Sequence, residues 1–326
     1  MFLRKSLAVL CLALSSIHMI GASGMRRSLI PDGKIVGRWD VTIQEANGGQ
    51  YPSWFEVTGD AGNLTGRFVG RVGSQRPIKT IDFAKGHLTF SLPIQYEQHK
   101  TDLKFEANLV GERLEGTTFD PSGNTLKWTA VRAPKLDRKS APRWGKPLSL
   151  FNGSDLTGWK LRNVNNLPPG RMQAATWRVV DAVMENTPHG TDIITDQKFT
   201  DFKLHVEFKM VEKSNSGVYL RGRYEVQIED NFGQAPESHR IGGVYGFITP
   251  SSNPARKAGE WQSFDITLIG RRVTVVFNDK LIIDNAEIPG ITGGALDCNE
   301  GEPGPIMLQG DHEKIYYRNI VITPAK

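Results

Sequence analysis

Between Phe202 and Met210 the chain alternates without a break. Phe202, Leu204, Val206, Phe208 and Met210 are apolar, and Lys203, His205, Glu207 and Lys209 between them are polar. Side chains of a strand point to opposite faces in turn, so only a strand puts such a set on one side. The same period runs through Val218, Leu220, Gly222, Tyr224, Val226 and Ile228, and again through Phe264, Ile266 and Leu268. Val273, Val275 and Phe277 repeat it, after which Asn278-Asp279 turns the chain into Leu281–Ile283. No segment sustains the 3.6-residue period of an amphipathic helix. The pattern predicts antiparallel sheets with one face buried, and the second half reads as a β-sandwich.

The first half is cut more finely. Eight alternating runs, 35–43, 54–57, 64–72, 78–83, 88–92, 103–110, 113–118 and 126–131, are separated by turn residues such as Asn47-Gly48-Gly49 and Gly59-Asp60. Short strands at a spacing near ten residues predict a meander barrel or sandwich. Gly37-Arg38-Trp39 looks like the Gly-x-Trp opening of lipocalin-type barrels, and a filled core rather than a ligand cavity is expected. The overall expectation is an all-β chain, a smaller barrel or sandwich followed by a larger β-sandwich.

The N-terminus carries Arg4 and Lys5, then the apolar stretch Ser6–Ile20, then Gly21, Ala22, Ser23 and Gly24. A basic start, an apolar stretch too short to span a bilayer and a run of small residues make a secretory signal peptide over residues 1–24. The mature chain is therefore expected to be secreted or periplasmic, with no membrane span. A β-rich companion domain is expected over 33–133 and a linker over 134–147, where three prolines and five basic residues fall together. The second domain occupies 148–326.

Composition excludes several classes. Gly 34 and Pro 18 in 326 residues, with 39% hydrophobic residues, do not describe a disordered or collagenous chain. The net charge of +5 is scattered, without the concentrated basic stripe of a nucleic-acid binder. Cys11 and Cys298 alone offer no disulfide framework and no multi-cysteine zinc site. The His-Glu-x-x-His, Walker A and Gly-x-Gly-x-x-Gly motifs are missing. Asp297, Glu300 and Glu302 suit a hard cation or simply an acidic loop, and no metal ligand is assigned.

The most informative chemistry lies in the polar face of Tyr219–Glu229, which begins with Tyr219 and continues with Arg221, Arg223, Glu225, Gln227 and Glu229. On one strand these would form a row about 6.6 Å apart. Such a row is either a solvated sheet face or a concave face whose donors and acceptors match sugar hydroxyls. Downstream, Gln309 and His312 precede the last strand, with Asp311 and Glu313 flanking the imidazole. Ser214-Asn215-Ser216-Gly217 reads as a turn entering the polar strand.

Several segments together resemble the 3-keto-disaccharide hydrolase domain family. They are Leu150-Phe151-Asn152-Gly153 with Leu156-Thr157-Gly158-Trp159, then Trp177-Arg178-Val179, Ser214–Gly222, Tyr224–Ile228 with Asp230, Gly259-Glu260-Trp261, Gly304–Gln309 and Arg318-Asn319-Ile320. The resemblance covers roughly residues 148–323. It implies a concanavalin A-like jelly roll and hydrolysis of glycosides already oxidised to a ketone at sugar carbon 3. A separate sugar 3-oxidoreductase would install that ketone, so the resemblance calls for no nicotinamide here; other cofactors are not indicated. The ketone acidifies the C2 hydrogen, so a base can remove it, the glycosidic oxygen can leave from C1, and water can add to the enone.

Carried over residue by residue, the resemblance implies catalytic roles for Glu225, His312 and Arg221. Glu225 or His312 would be the base and Arg221 the stabiliser of enolate charge. Glu207, Gln227, Asp230, Tyr245 and Gln309 would bind substrate, with Gln227 and Gln309 on its hydroxyls. Two alternatives stand beside it. Glu225-Val226-Gln227-Ile228-Glu229 is similar to the Glu-x-Asp-x-Glu of retaining glucanases, with Gln227 in place of the central Asp. A non-catalytic, lectin-like sugar binder is the other.

Overall fold

A computed structural model of the protein describes residues 34–60, 62–138, 140–162 and 177–326; the leader read at 1–24 lies outside them. Every regular element among these residues is a strand. The first eight are β1 (Gly37–Gln44), β2 (Gln50–Asp60), β3 (Asn63–Val69), β4 (Arg76–Ala84), β5 (His87–Leu92), β6 (Leu103–Val110), β7 (Arg113–Phe119) and β8 (Thr125–Arg132). Each pairs antiparallel with the next, and β1 closes on β8 with Val41 opposite Ala130. The eight alternating runs are these eight strands, wound into a closed barrel. Inward-facing aromatic side chains fill it: Phe90 stacks on Phe105 at 5.0 Å between ring centres, and Phe68 packs on Phe105 at 4.9 Å. Trp39, Phe55 and Trp128 complete this core.

The remaining strands are β9 (Leu148–Ser149), β10 (Trp159–Leu161), β11 (Trp177–Val180), β12 (Val183–Asn186), β13 (Ile193–Thr195), β14 (Phe202–Met210), β15 (Asn215–Leu220), β16 (Tyr224–Glu229), β17 (Trp261–Ile269), β18 (Arg272–Phe277), β19 (Lys280–Glu287), β20 (Met307–Leu308) and β21 (Ile315–Pro324). They form a five-stranded sheet in the order β10-β13-β20-β15-β16 and an eight-stranded sheet in the order β11-β12-β21-β14-β17-β18-β19, with β9 added to β21. Phe208, Phe264 and Phe277 of the larger sheet and Val218, Leu220, Val226 and Ile228 of the smaller one share a single core. This is a jelly-roll sandwich. Asn278 and Asp279, at φ 46° and 64°, make the two-residue turn between β18 and β19.

Two features depart from a plain reading of the period. Val218–Glu229 is not one strand: the chain reverses at Arg221-Gly222-Arg223, where Arg221 and Gly222 take φ 55° and 67°, and Leu220 then pairs with Tyr224. The supposed polar row is therefore split between a hairpin tip and one strand. In addition, β15 and β16 are buried on both faces, Tyr219, Glu225 and Gln227 included. Their outer face is covered by the 288–302 loop and by the barrel.

The barrel is fastened to the sandwich through side chains and backbone alike. Trp54 of β2 belongs to the sandwich core and meets Phe247 edge-on at 5.6 Å. Gly294 N donates to Arg71 O at 2.9 Å, and Arg38 pairs with Glu287. Asp40 of β1 is 3% exposed and stands beside Glu300, which Arg271 holds at 2.7 Å. Burial, and then Glu300, push the Asp40 carboxyl well above the ordinary carboxylate range, against partial relief from Arg271 and Arg223.

The folded chain thus keeps a proton on Asp40 that the unfolded chain, with a carboxyl near ~4, releases in mild acid. Stability contributed there is greatest in acid and falls as pH rises through neutrality. Asp40→Asn supplies a donor toward Glu300 without needing that proton. Calorimetry is expected to give a Tm above wild type at pH 9, by ~2–4 °C per kcal/mol recovered, and a difference that shrinks toward pH 5.

Candidate active site

A cavity of about 420 Å³ opens where the outer face of the five-stranded sheet meets the barrel. Its floor is the β15–β16 hairpin. Tyr219 lies directly opposite Glu225 in the ladder, and Gly217 opposite Gln227. Glu225 runs back over Gly217: a Cβ there would fall 2.3 Å from Glu225 Oε1 and 2.9 Å from its Cγ. The glycine of Ser214-Asn215-Ser216-Gly217 therefore does more than finish a turn. It already belongs to β15 and leaves the slot that a carboxylate fills.

That slot sets the chemistry of Glu225, which is 3% exposed. Burial pushes its pKa up to about 8; the Tyr219 hydroxyl and the charge of His312 oppose the shift, and Asp192 adds to it. Tyr219 itself donates to Gly293 O at 2.9 Å. With its donors turned toward acceptors, the Gln227 amide gives hydrogen bonds to Ser216 O at 3.1 Å and Glu225 Oε1 at 3.2 Å. Neighbouring backbone brings in the other walls. Tyr245 N donates to Glu225 O at 3.0 Å, which lays Tyr245 along the free edge of β16. Gln309 follows β20, where its N–H reaches Gly217 O at 3.0 Å and its carbonyl accepts from Ser216 Oγ at 2.7 Å.

The Gln309 side-chain Oε1 is buried with no partner among the described residues, an acceptor that a ligand hydroxyl would satisfy. His312 Nδ1 lies 3.1 Å from Asp311 Oδ1. Asp192 and Arg162 form a buried ion pair at 2.9 Å, and Asp192 also accepts from Gly310 N at 3.0 Å. Val72, Gly73, Tyr96 and Gln98 reach the cavity from the barrel.

Of the residues singled out in the sequence, Glu225, His312, Gln227, Tyr245 and Gln309 meet in this cavity. Arg221, Glu207 and Asp230 stand outside its lining. Arg221 sits at the hairpin tip, where it donates to Gly270 O at 2.7 Å, Tyr224 Oη at 3.1 Å and Glu300 O at 3.1 Å. Glu207 is on β14 of the other sheet and takes bonds from Arg318 and Asn319, each at 2.6 Å. Asp230 accepts from Lys213 N at 2.9 Å and ties the outer end of the hairpin. Glu229 also lies outside the lining. The acidic loop is neutralised by arginines: Asp297 pairs with Arg223 at 2.6 Å and Glu300 with Arg271. Among the described residues no three His, Cys, Asp or Glu side chains are grouped to hold a metal ion.

Sequence reasoning missed Tyr219, Asp192, Arg162, Asn215 and the barrel residues. Tyr219 was recoverable, because reading Gly222 as a hairpin turn puts it opposite Glu225. Arg162 and Asp192 are 30 residues apart and carry no motif.

A jelly roll with a polar cavity on its covered sheet, holding a carboxyl, an Asp–His pair and amide side chains, has the donors and acceptors a carbohydrate-active protein needs. Residues 146–323 match the 3-keto-alpha-glucoside-1,2-lyase-like domain, and the chain belongs to that family. Among solved structures, a candidate glycosyl hydrolase from Parabacteroides distasonis ATCC 8503 is 29% identical, over 57% of this chain and 92% of its own, with a TM-score of 0.45. A second candidate glycosyl hydrolase from the same organism is 24% identical over 55% and 98%, at 0.41. The carbohydrate-binding module CBM66 from Bacillus subtilis is 13% identical over 50% and 94%, at 0.35. No protein of curated function matches the chain.

Gly217→Ala tests the slot. The clash runs along Glu225 from Oε1 back to Cγ, so the whole buried side chain must turn away from β15. Carbon NMR of the glutamate carboxyls is expected to show its pKa move down from about 8, and calorimetry a lower Tm, since overpacking a buried site costs ~1–3 kcal/mol.

Proposed function

We propose that the protein is exported and cleaves 3-keto-glycosides by elimination across C1 and C2 followed by hydration. The observation that carries this reading is the pairing, in one cavity, of a carboxyl held protonated near neutrality with an imidazole that lies 3.1 Å from a second carboxylate. Elimination needs an acid for the leaving oxygen and a base for the C2 hydrogen, both poised near the working pH. Family membership supports the same bond, since a 1,2-lyase acts across C1 and C2.

His312 takes the C2 proton on Nε2 while Asp311 steadies the imidazolium formed. The electron pair spreads onto the C3 ketone oxygen as an enolate. Arg162 is the cavity's guanidinium and favours that charge, the role Arg221 cannot fill from the hairpin tip. The pair then forms the C1–C2 double bond as the C1–O bond breaks, and the departing oxygen takes the proton of Glu225. Hydration reverses the traffic. Glu225, now a carboxylate, takes a proton from water as its oxygen adds to C1, and His312 returns a proton to C2. The balance is one glycosidic bond and one water consumed, with both side chains restored. Gln227, Gln309 and Tyr245 hold the sugar hydroxyls. The ketone must come from a sugar 3-oxidoreductase, the functional partner this chemistry requires.

A retaining glucanase mechanism needs two carboxyls about 5–5.5 Å apart. Glu229, the second carboxyl of the Glu-x-Gln-x-Glu pattern, does not reach the cavity lining that Glu225 occupies.

The test is product release from a 3-keto-glucoside and from its unoxidised parent. Release from the keto form alone, slowed by deuterium at C2, is the expected result. Release from the parent would move the assignment to an ordinary glycosidase, and binding without turnover to a lectin. Because the acid form of Glu225 acts first, kcat/KM is expected to fall as pH rises through about 8. Glu225→Gln and His312→Ala should each lower kcat by ~10²–10⁴, and Glu225→Gln should also remove that alkaline decline.

A further inference from the structure

The barrel holds a cavity of its own. At the end where the β1–β2, β3–β4, β5–β6 and β7–β8 connections meet, about 370 Å³ is open. Phe68 and Phe105 of the aromatic core form its deep wall, Leu103 and Leu126 its sides, and Tyr96 and Phe119 its rim. Those two rim rings are 60% and 45% exposed. Val72, Tyr96 and Gln98 line this apolar cavity and the polar one beside it. The two spaces therefore share a wall, and a molecule leaving the polar cavity over Tyr96 enters the barrel mouth.

The shared wall is built, not incidental. Glu97 accepts from Gln95 N at 2.9 Å, Tyr96 N at 3.1 Å and Arg76 Nη1 at 3.1 Å, and Gln95 Nε2 donates to Ser74 Oγ at 3.0 Å. The Tyr96 ring lies on Gly73, where a Cβ would meet it at 2.7 Å. A Cβ on Gly293, in the sandwich wall of the polar cavity, would in turn meet Gly73 O at 2.1 Å. Ring, barrel loop and sandwich loop are stacked with no room between them. In this cavity Arg71 pairs with Glu45 at 2.5 Å. Glu45 Oε2 is left buried without a partner among the described residues.

We propose that the barrel mouth is the leaving-group subsite and that it takes an aromatic aglycone. The sugar ring occupies the polar cavity, and the aglycone lies over Tyr96 between Phe119 and the leucines, with a phenolic hydroxyl satisfying Glu45 Oε2. The wall chemistry favours an aromatic group over a second sugar. It offers apolar area and two exposed ring faces, with Asn47, Gln98, His99 and Asp120 as polar groups around them. This assignment rests on the cleavage reading above and deepens it.

The test compares phenyl and methyl 3-keto-glucosides with the full-length protein, alongside Phe119→Glu and Phe119→Leu. Phe119 is half-exposed and outside the polar cavity, so its replacement leaves the fold intact. Phe119→Glu is expected to lower kcat/KM for the phenyl substrate about tenfold relative to the methyl one, through KM, and Phe119→Leu to recover most of it. Equal losses on both substrates, or no loss, would overturn the subsite while leaving the cleavage reading intact. Calorimetry with unoxidised phenyl glucoside separates the two claims. If wild type turns over no 3-keto-glucoside, the cleavage reading fails; binding that Phe119→Glu abolishes would still support the subsite, and binding that it leaves unchanged would overturn it.

Discussion

The slot over Gly217 governs the candidate site. A carboxyl laid against bare backbone, roofed by Tyr219 and shut off by the barrel, has too little water around it to ionise easily. That single packing choice moves Glu225 into the neutral range and brings Gln227 to its oxygen. The 288–302 loop and the barrel bury the outer face of β15 and β16, so the polar side chains there need internal partners. Tyr219 finds Gly293 O, and Arg223 finds Asp297. Most of the buried polar network around the cavity follows from covering that face.

Much of the fold was legible because period two survives in the sequence wherever one face of a strand meets a core. All eight barrel strands could be read from alternation and turn residues, and so could β14, β17 and β18. The failure at Val218–Glu229 has a definite cause. A tight hairpin keeps the parity of the alternation, since Leu220 and Tyr224 face each other and both point inward. The period therefore passes through the turn unbroken, and only Gly222 betrays it. Arg221 was placed in one row with Glu225 for that reason, while its catalytic role came from the family resemblance. Glu207 and Asp230 look like site residues from their motif positions, yet their carboxylates are spent on holding Arg318, Asn319 and the Lys213 backbone.

What could not be read was anything made by two distant segments. Arg162 and Asp192 flank β10 and β13, neighbouring short strands whose pairing no local pattern announces. Tyr96 and Gln98 lie in a barrel loop that has no reason, on sequence grounds, to reach another sheet. The barrel was expected to have a filled core. It is filled along its axis by stacked rings, and it opens at the end that abuts the sandwich cavity.

The indole of Trp54 belongs to one strand of the barrel and to the core of the other half. Its Nε1 lies 2.2 Å from where a side chain on Gly290 would begin, so the sandwich carries an indentation shaped to one ring. A fragment beginning after residue 134 would keep that indentation and lose its plug. An apolar pit would then face solvent next to the cavity, with the 288–302 loop unsupported on one side. Cutting the chain at its proline-rich segment would therefore sever a shared core, even though only a short stretch of exposed backbone is broken.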